Sequence, residues 1–273
     1  IRLDNEYALA YYDRGVSYYE KHDYDQALRD LSRAIKLDPK DALSYYNRGV
    51  TYAARGDADH AILDYDQTIR IDPKNALAFY NRGMALRSKS QDERAIADFT
   101  QAIKLDPKNA LAFFNRAIGY RNRGDLDRAL ADFDQAIALD PKNAAAYYER
   151  GNAYYEKRNT DRAIADLDQA INIKPDYTAA FNLRGQAYTS KGDSDRAIVD
   201  FDQALRIDPN YVAALSNRGD AFQKKHEYAR AIADFDQAIK VNPNYAGTYY
   251  SRGIANPDKR DYKNAVADFS HAI

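Results

Sequence analysis

Seven of the chain's eight prolines, Pro39, Pro73, Pro107, Pro141, Pro175, Pro209 and Pro243, stand 34 residues apart. A period of that length, held without an insertion, means that one supersecondary unit is copied along the chain. Such a unit must stack on its neighbours to bury its apolar face, so residues 1–273 are predicted to form a single quasi-one-dimensional array rather than two ordinary domains. With Ala8 as the first position, the units run 8–41, 42–75, 76–109, 110–143, 144–177, 178–211 and 212–245, with a shortened eighth at 246–273. Residues 1–7 read as the tail of a preceding repeat, because Ile1-Arg2-Leu3-Asp4-Asn5-Glu6-Tyr7 resembles Leu205-Arg206-Ile207-Asp208-Pro209-Asn210-Tyr211. The chain therefore reads as a piece of a longer protein, cut within a repeat at both ends.

Column by column, the repeat describes two helices. Position eight is Gly15, Gly49, Gly83, Ala117, Gly151, Gly185, Gly219 and Gly253, and position twenty is Ala in every unit, from Ala27 to Ala265. Small residues at matched heights let two antiparallel helices approach closely. Positions four and eleven are mostly aromatic (Tyr11 and Tyr18, Tyr45 and Tyr52), and position twenty-four is bulky (Leu31, Tyr65, Phe99, Phe133). These columns recur at helical spacings. Asp38-Pro39-Lys40-Asp41 and its relatives stop the second helix and offer an Asx cap to the next. Gly56-Asp57, Gly124-Asp125 and Gly192-Asp193 mark the turn inside the unit, and the Lys or Arg at position fourteen, Lys21 to Lys259, suits the negative end of the first helix.

Tyr11-x-x-Arg14-Gly15-x-x-Tyr18, Ala27-x-x-x-Leu31 and Pro39 together resemble the tetratricopeptide repeat, and the resemblance covers essentially the whole chain. It implies an all-α, right-handed solenoid of helix-turn-helix repeats, whose first helices (A) line a concave groove used by relatives to hold peptides or protein segments.

One departure is systematic. Position seven, usually aliphatic in the family, is Arg14, Arg48, Arg82, Arg116, Arg150, Arg184, Arg218 and Arg252, and position twenty-three is Asp in every unit, beginning Asp30, Asp64, Asp98 and Asp132. Facing positions of an antiparallel hairpin have a nearly constant sum, 28 for positions four with twenty-four and eight with twenty, and 30 for seven with twenty-three. An Arg–Asp bridge within each hairpin is expected; the other reading is an Arg ladder for an anionic ligand.

On the resemblance, positions two, five, six, nine, twelve and thirteen face the groove. Position two is Leu9, Leu43, Leu77 and Leu111, then Ala or Gly; position five is Tyr12, Tyr46, Tyr80, Phe114 and Tyr148, then Asn182, Ser216 and Tyr250. Position nine drifts in step, from Val16, Val50, Met84 and Ile118 to Asn152, Gln186 and Asp220. The groove is thus expected to be apolar in its first half and polar in its second. The tyrosines either meet a ligand or pack between adjacent A helices. Asn47, Asn81 and Asn115 at position six could hold an extended ligand backbone, since an amide both donates and accepts. Arg87 and Arg121 at position twelve could pair with acidic ligand groups or stand in solvent. The carboxylate clamp of chaperone-binding relatives wants Lys at position five and Asn at nine, and does not fit.

Nothing in the chain resembles a catalytic, metal or cofactor site: there is no Cys, the acids are periodic, and His22, His60, His226 and His271 lack ligand spacing. A net charge of −1 gives no hint of nucleic-acid binding, and no apolar run is long enough to span a bilayer. The compartment is left open. Asn256-Pro257 is expected to end or kink the last A helix. The expectation is a non-enzymatic protein or peptide scaffold. The alternatives are a module that stacks end to end through uncapped terminal helices, and the targeting arm of an enzyme lying outside this chain.

Overall fold

The computed structural model describes residues 6–255 and 262–272; Asn256-Pro257, Lys259 and Ile273 lie outside the described residues. The fold is all-α, sixteen helices among the described residues in eight hairpins. Two compact units divide at Pro141 and Lys142. The first contains α1 (Ala8–Glu20), α2 (Tyr24–Leu37), α3 (Ala42–Ala54), α4 (Ala58–Ile71), α5 (Ala76–Ser88), α6 (Asp92–Leu105), α7 (Ala110–Asn122) and α8 (Leu126–Leu139). The second contains α9 (Ala144–Glu156), α10 (Thr160–Ile173), α11 (Thr178–Ser190), α12 (Ser194–Ile207), α13 (Val212–Lys224), α14 (Tyr228–Val241), α15 (Ala246–Ala255) and α16 (Tyr262–Ala272).

Helix boundaries follow side-chain chemistry. Asp23, Asp57, Asp125 and Asp193 cap the second helices of their hairpins, each carboxylate accepting a backbone N–H three residues on. Asp41, Asn75, Asn109 and Asn143 cap A helices in the same way. The turn residue at position fifteen is left-handed in seven hairpins, with φ of 78–80° at Gly56, Gly124 and Gly192, and of 58–63° at His22, Ser90, Arg158 and His226. Glycine is thus absent from four turns that its freedom would suit.

The core runs along each hairpin seam. Ala27, Ala61, Ala95 and Ala129 have no exposed surface, nor do Leu31, Phe99 and Phe133. Position eight needs its small residues: a Cβ on Gly83 would stand 2.7 Å from Phe99 Cε1. In each unit a second helix packs on the following A helix, and A helices also touch each other (α1 with α3, α3 with α5, α5 with α7; α9 with α11, α11 with α13, α13 with α15). Each unit therefore presents one face made of A helices alone.

Candidate functional site

Every position-seven Arg is engaged by the Asp of its own hairpin. Arg14 Nε and Nη2 donate to Asp30 at 2.5 and 2.7 Å, Arg48 to Asp64 at 2.8 and 2.7 Å, Arg82 to Asp98 at 2.8 and 2.6 Å, and Arg116 to Asp132 at 2.7 and 2.8 Å. The same fork recurs at Arg150–Asp166, Arg184–Asp200, Arg218–Asp234 and Arg252–Asp268. The remaining Nη1 reaches back into the previous repeat, to Ser32 and Thr100 from Arg48 and Arg116 at 3.1 Å, and to Asp66 from Arg82 at 2.5 Å. In the second unit it reaches Asp168, Asp202 and Asp236. Its hydrogen bonds to the Asp98 carboxylate, working against burial, hold the Arg82 guanidinium charged well above its usual range. The Arg column thus lies in the seams, with its donors directed at the protein's own carboxylate and hydroxyl oxygens.

On the A-helix face of the first unit, Leu9, Leu43, Leu77 and Leu111 are each half exposed, at 50–54%. Beside them Tyr46, Tyr80 and Phe114 are half-buried, their rings 5.9–6.1 Å from Tyr65, Phe99 and Phe133 of the same hairpins. The tyrosine hydroxyls of this column meet the next repeat: Asn47, Asn81 and Asn115 donate to the hydroxyls of Tyr12, Tyr46 and Tyr80 at 3.1, 2.9 and 3.1 Å. Asn47 and Asn115 spend their other amide hydrogen on Leu43 and Leu111 carbonyls, which leaves the amide oxygen. Asn115 is buried, at 4% exposure. Desolvation raises the pKa of Tyr46 and Tyr80, and Arg87 lies close enough to Tyr80 to oppose the rise. Arg87 and Arg121 are partly buried. A cavity of about 930 Å³ lies toward the turn end of these hairpins, lined by Asn81, Met84 and Ala85 of α5 together with Arg55, Gly56 and Asp57 of the α3–α4 turn.

The second unit keeps the joint and changes its chemistry. Tyr148 packs on Tyr177 with centroids 5.0 Å apart, and burial pushes the Tyr177 phenol up to about 12. Where position five becomes Asn182, the Asn217 amide donates to its oxygen at 2.9 Å, replacing the Tyr–Asn bond of the first unit. A cavity of about 700 Å³ opens here beside Gln186, Asn217 and Asp220.

Two contacts were missed by reading the sequence. Position twenty-five, which receives Nη1, carries an oxygen acceptor in every 34-residue repeat. Position fourteen is more than a helix-end cation: Arg55, Lys89, Arg123, Lys191 and Lys225 pair with Asp25, Asp59, Glu93, Asp161 and Asp195 of the repeat before. The signal was present in the run of acids at position eighteen. The four His side chains bond locally, His60 to Asp57, His22 and His226 to Tyr24 and Tyr228, and His271 to the Ala267 carbonyl. Among the described residues no acidic or His groups gather as a metal site, and no helix is long and apolar enough to cross a membrane.

Tetratricopeptide-repeat family models match residues 12–76, 76–109, 99–131 and 212–245, and a TPR-repeat model matches 119–158, 151–192 and 185–226. No curated protein sequence matches the chain. A tetratricopeptide repeat protein from Parabacteroides merdae superposes with a TM-score of 0.67 at 20% identity, covering 91% of this chain and 98% of its own. YrrB, described as a TPR protein with an unusual peptide-binding site, gives 0.60 at 22% identity over 68% of this chain and 95% of its own. MamA gives 0.56 at 27% identity over 60% and 96%.

Proposed function

The chain belongs to the tetratricopeptide repeat family, and from that premise we propose that it is a non-enzymatic scaffold holding a protein segment on the A-helix face of its first unit. A general role as a protein-interaction scaffold goes with the family. The finer reading is carried by one observation, the ladder of half-exposed leucines at Leu9, Leu43, Leu77 and Leu111. A side chain half in solvent in four consecutive repeats leaves apolar surface that the fold itself does not cover, and burying such a stripe is worth roughly 1 kcal/mol or more for each half-covered side chain. The Tyr46, Tyr80 and Phe114 rings form the floor, and Arg87 and Arg121 stand at its edge to meet acidic groups of the segment. Because the asparagines are tied to the tyrosines, this reading gives recognition to the apolar ladder and leaves Asn47 and Asn115 as joints.

Capture from native lysate by the wild-type chain, compared with a Leu43→Ser, Leu77→Ser, Leu111→Ser variant, tests it. None of these side chains is buried, so the variant should keep its helicity while losing the captured protein. Equal capture by both forms would refute the groove reading. Tyr46→Ala, Tyr80→Ala, Phe114→Ala should lose capture too, with some stability.

A second reading, self-assembly, rests on Tyr250, Ile254 and Val266, which are 57%, 48% and 62% exposed in the last hairpin. Light scattering over a concentration series decides it. A mass that does not change with concentration would count against assembly.

A further inference from the structure

We propose that the polar cavity of the second unit receives a basic side chain, arginine or lysine, with Asp220 as its counter-ion. This rests on the reading of the A-helix face as the ligand surface and adds a second specificity element to it.

The cavity lies along α9, α11 and α13, and its most unusual feature is Asp220 itself. Position nine is aliphatic in the first unit and neutral in Asn152 and Gln186; Asp220 is the one acid the column acquires. It is half-buried, and among the described residues no cation lies within ion-pair distance of it. The nearby arginines are already committed, Arg184 to Asp200 and Asp168, Arg218 to Asp234 and Asp202. Lys225 is held by Asp195 and Glu227. Ser251 is its hydrogen-bonding neighbour, and Lys224, one helical turn on and itself part of the cavity lining, is the one cation acting on it among the described residues. Desolvation accordingly raises its pKa, so the charge is a burden on the fold that a cationic ligand would relieve.

The other walls are biased the same way. Thr189 donates its hydroxyl hydrogen to the Gly185 carbonyl at 2.9 Å, and Ser190 its own to the Gln186 carbonyl at 3.0 Å. With the Ser190 proton so used, the Tyr155 hydroxyl, 3.0 Å away, is the donor of their mutual bond. Asn217 has given an amide hydrogen to Asn182. The Thr189, Ser190 and Tyr155 hydroxyls therefore have lone pairs rather than hydrogens left for the cavity, and the Asn217, Gln186 and Gln223 amides can add their oxygens. An acceptor-rich wall around a half-buried carboxylate is complementary to a group that only donates, a guanidinium or an ammonium. The half-buried Tyr155 ring supplies apolar surface for its methylene stem.

The test uses the full chain, labelled with ¹⁵N, and four acetylated pentapeptide amides, Gly-Gly-X-Gly-Gly, with X as arginine, lysine, citrulline or glutamate. Citrulline keeps the shape of arginine without its charge. Saturable shifts of the Gln186 and Gln223 side-chain amides are expected with the arginine and lysine peptides. Asp220→Asn should weaken them about tenfold, the loss of one charge-assisted contact. Lys224→Gln, by removing the competing cation, should tighten them by about threefold. Asp220→Asn removes a desolvated charge, so it should fold at least as well as wild type, which melting verifies. Saturation by citrulline or glutamate as strong as by arginine, an unchanged response in Asp220→Asn, or no saturable shift with any peptide would overturn the proposal. Capture through the leucine ladder is measured separately with the Leu43, Leu77, Leu111 variant, so the two readings fail independently.

Discussion

Replacing Arg82 with Met should remove a large part of the stability of its hairpin, and the reason lies in what is left behind. Asp98 is 5% exposed and takes two short bonds from Arg82, whose own side chain is 20% exposed. Methionine fills the volume but strands the carboxylate, at a penalty of about 3–5 kcal/mol. The third bond contributes little, because Asp66 is 40% exposed, so Asp66→Ser should cost under about 1 kcal/mol. Ser32 already fills that place for Arg48. The double variant Arg82→Met, Asp98→Leu removes both charges and should return to within about 1 kcal/mol of wild type. A repeat stack need not unfold in one step, so urea denaturation should be accompanied by amide hydrogen exchange across α5 and α6. A loss below about 1 kcal/mol in the single variant, or a double variant as unstable as the single, would refute the account of a buried, mutually dependent pair.

Gly185→Ala places a Cβ 2.5 Å from Phe201 Cε1, whereas Gly151→Ala meets nothing nearer than 3.2 Å, so the first should be less stable by about 1–2 kcal/mol in matched urea melts. Ser90→Gly relieves a left-handed residue with φ of 58° and should stabilise by about 1 kcal/mol, visible as a melting temperature raised by a few degrees. The caps set the acid limit. The backbone N–H of His60 lowers the Asp57 pKa, the Arg128 side chain that of Asp125, and the Arg196 backbone N–H that of Asp193. A depressed folded-state value means stability present above the unfolded value of about 4 and lost as pH falls below it. Circular dichroism should therefore hold down to about pH 4 and then fall, less steeply in Asp57→Asn, Asp125→Asn, Asp193→Asn; helix loss already complete at pH 5 would contradict this.

The hairpins were readable because their requirements repeat. Gly49 facing Tyr65, Gly83 facing Phe99 and the Ala column each leave the same mark at every 34th residue, and so do the Arg and Asp that meet in the seams. The Tyr46–Asn81 bond was not readable as a bond, since it joins neighbouring repeats and both partners looked like groove residues on their own. Position twenty-five escaped for a related reason: Ser32, Asp66 and Thr100 look unlike until a single Nη1 is seen to need only an oxygen. The division at Pro141 falls inside an uninterrupted repeat pattern and leaves no compositional trace.

The backward reach of each Arg also bears on how such a chain changes length. Within each unit the joint between repeats is written in one vocabulary: a guanidinium gripping its own carboxylate and touching whatever oxygen the preceding repeat offers. A block of 34 residues could be lost or duplicated by unequal recombination, and the newly adjoined repeats would find their partners already in place. Gene-level copying is thereby decoupled from core redesign, and the faces made by A helices are free to diverge repeat by repeat.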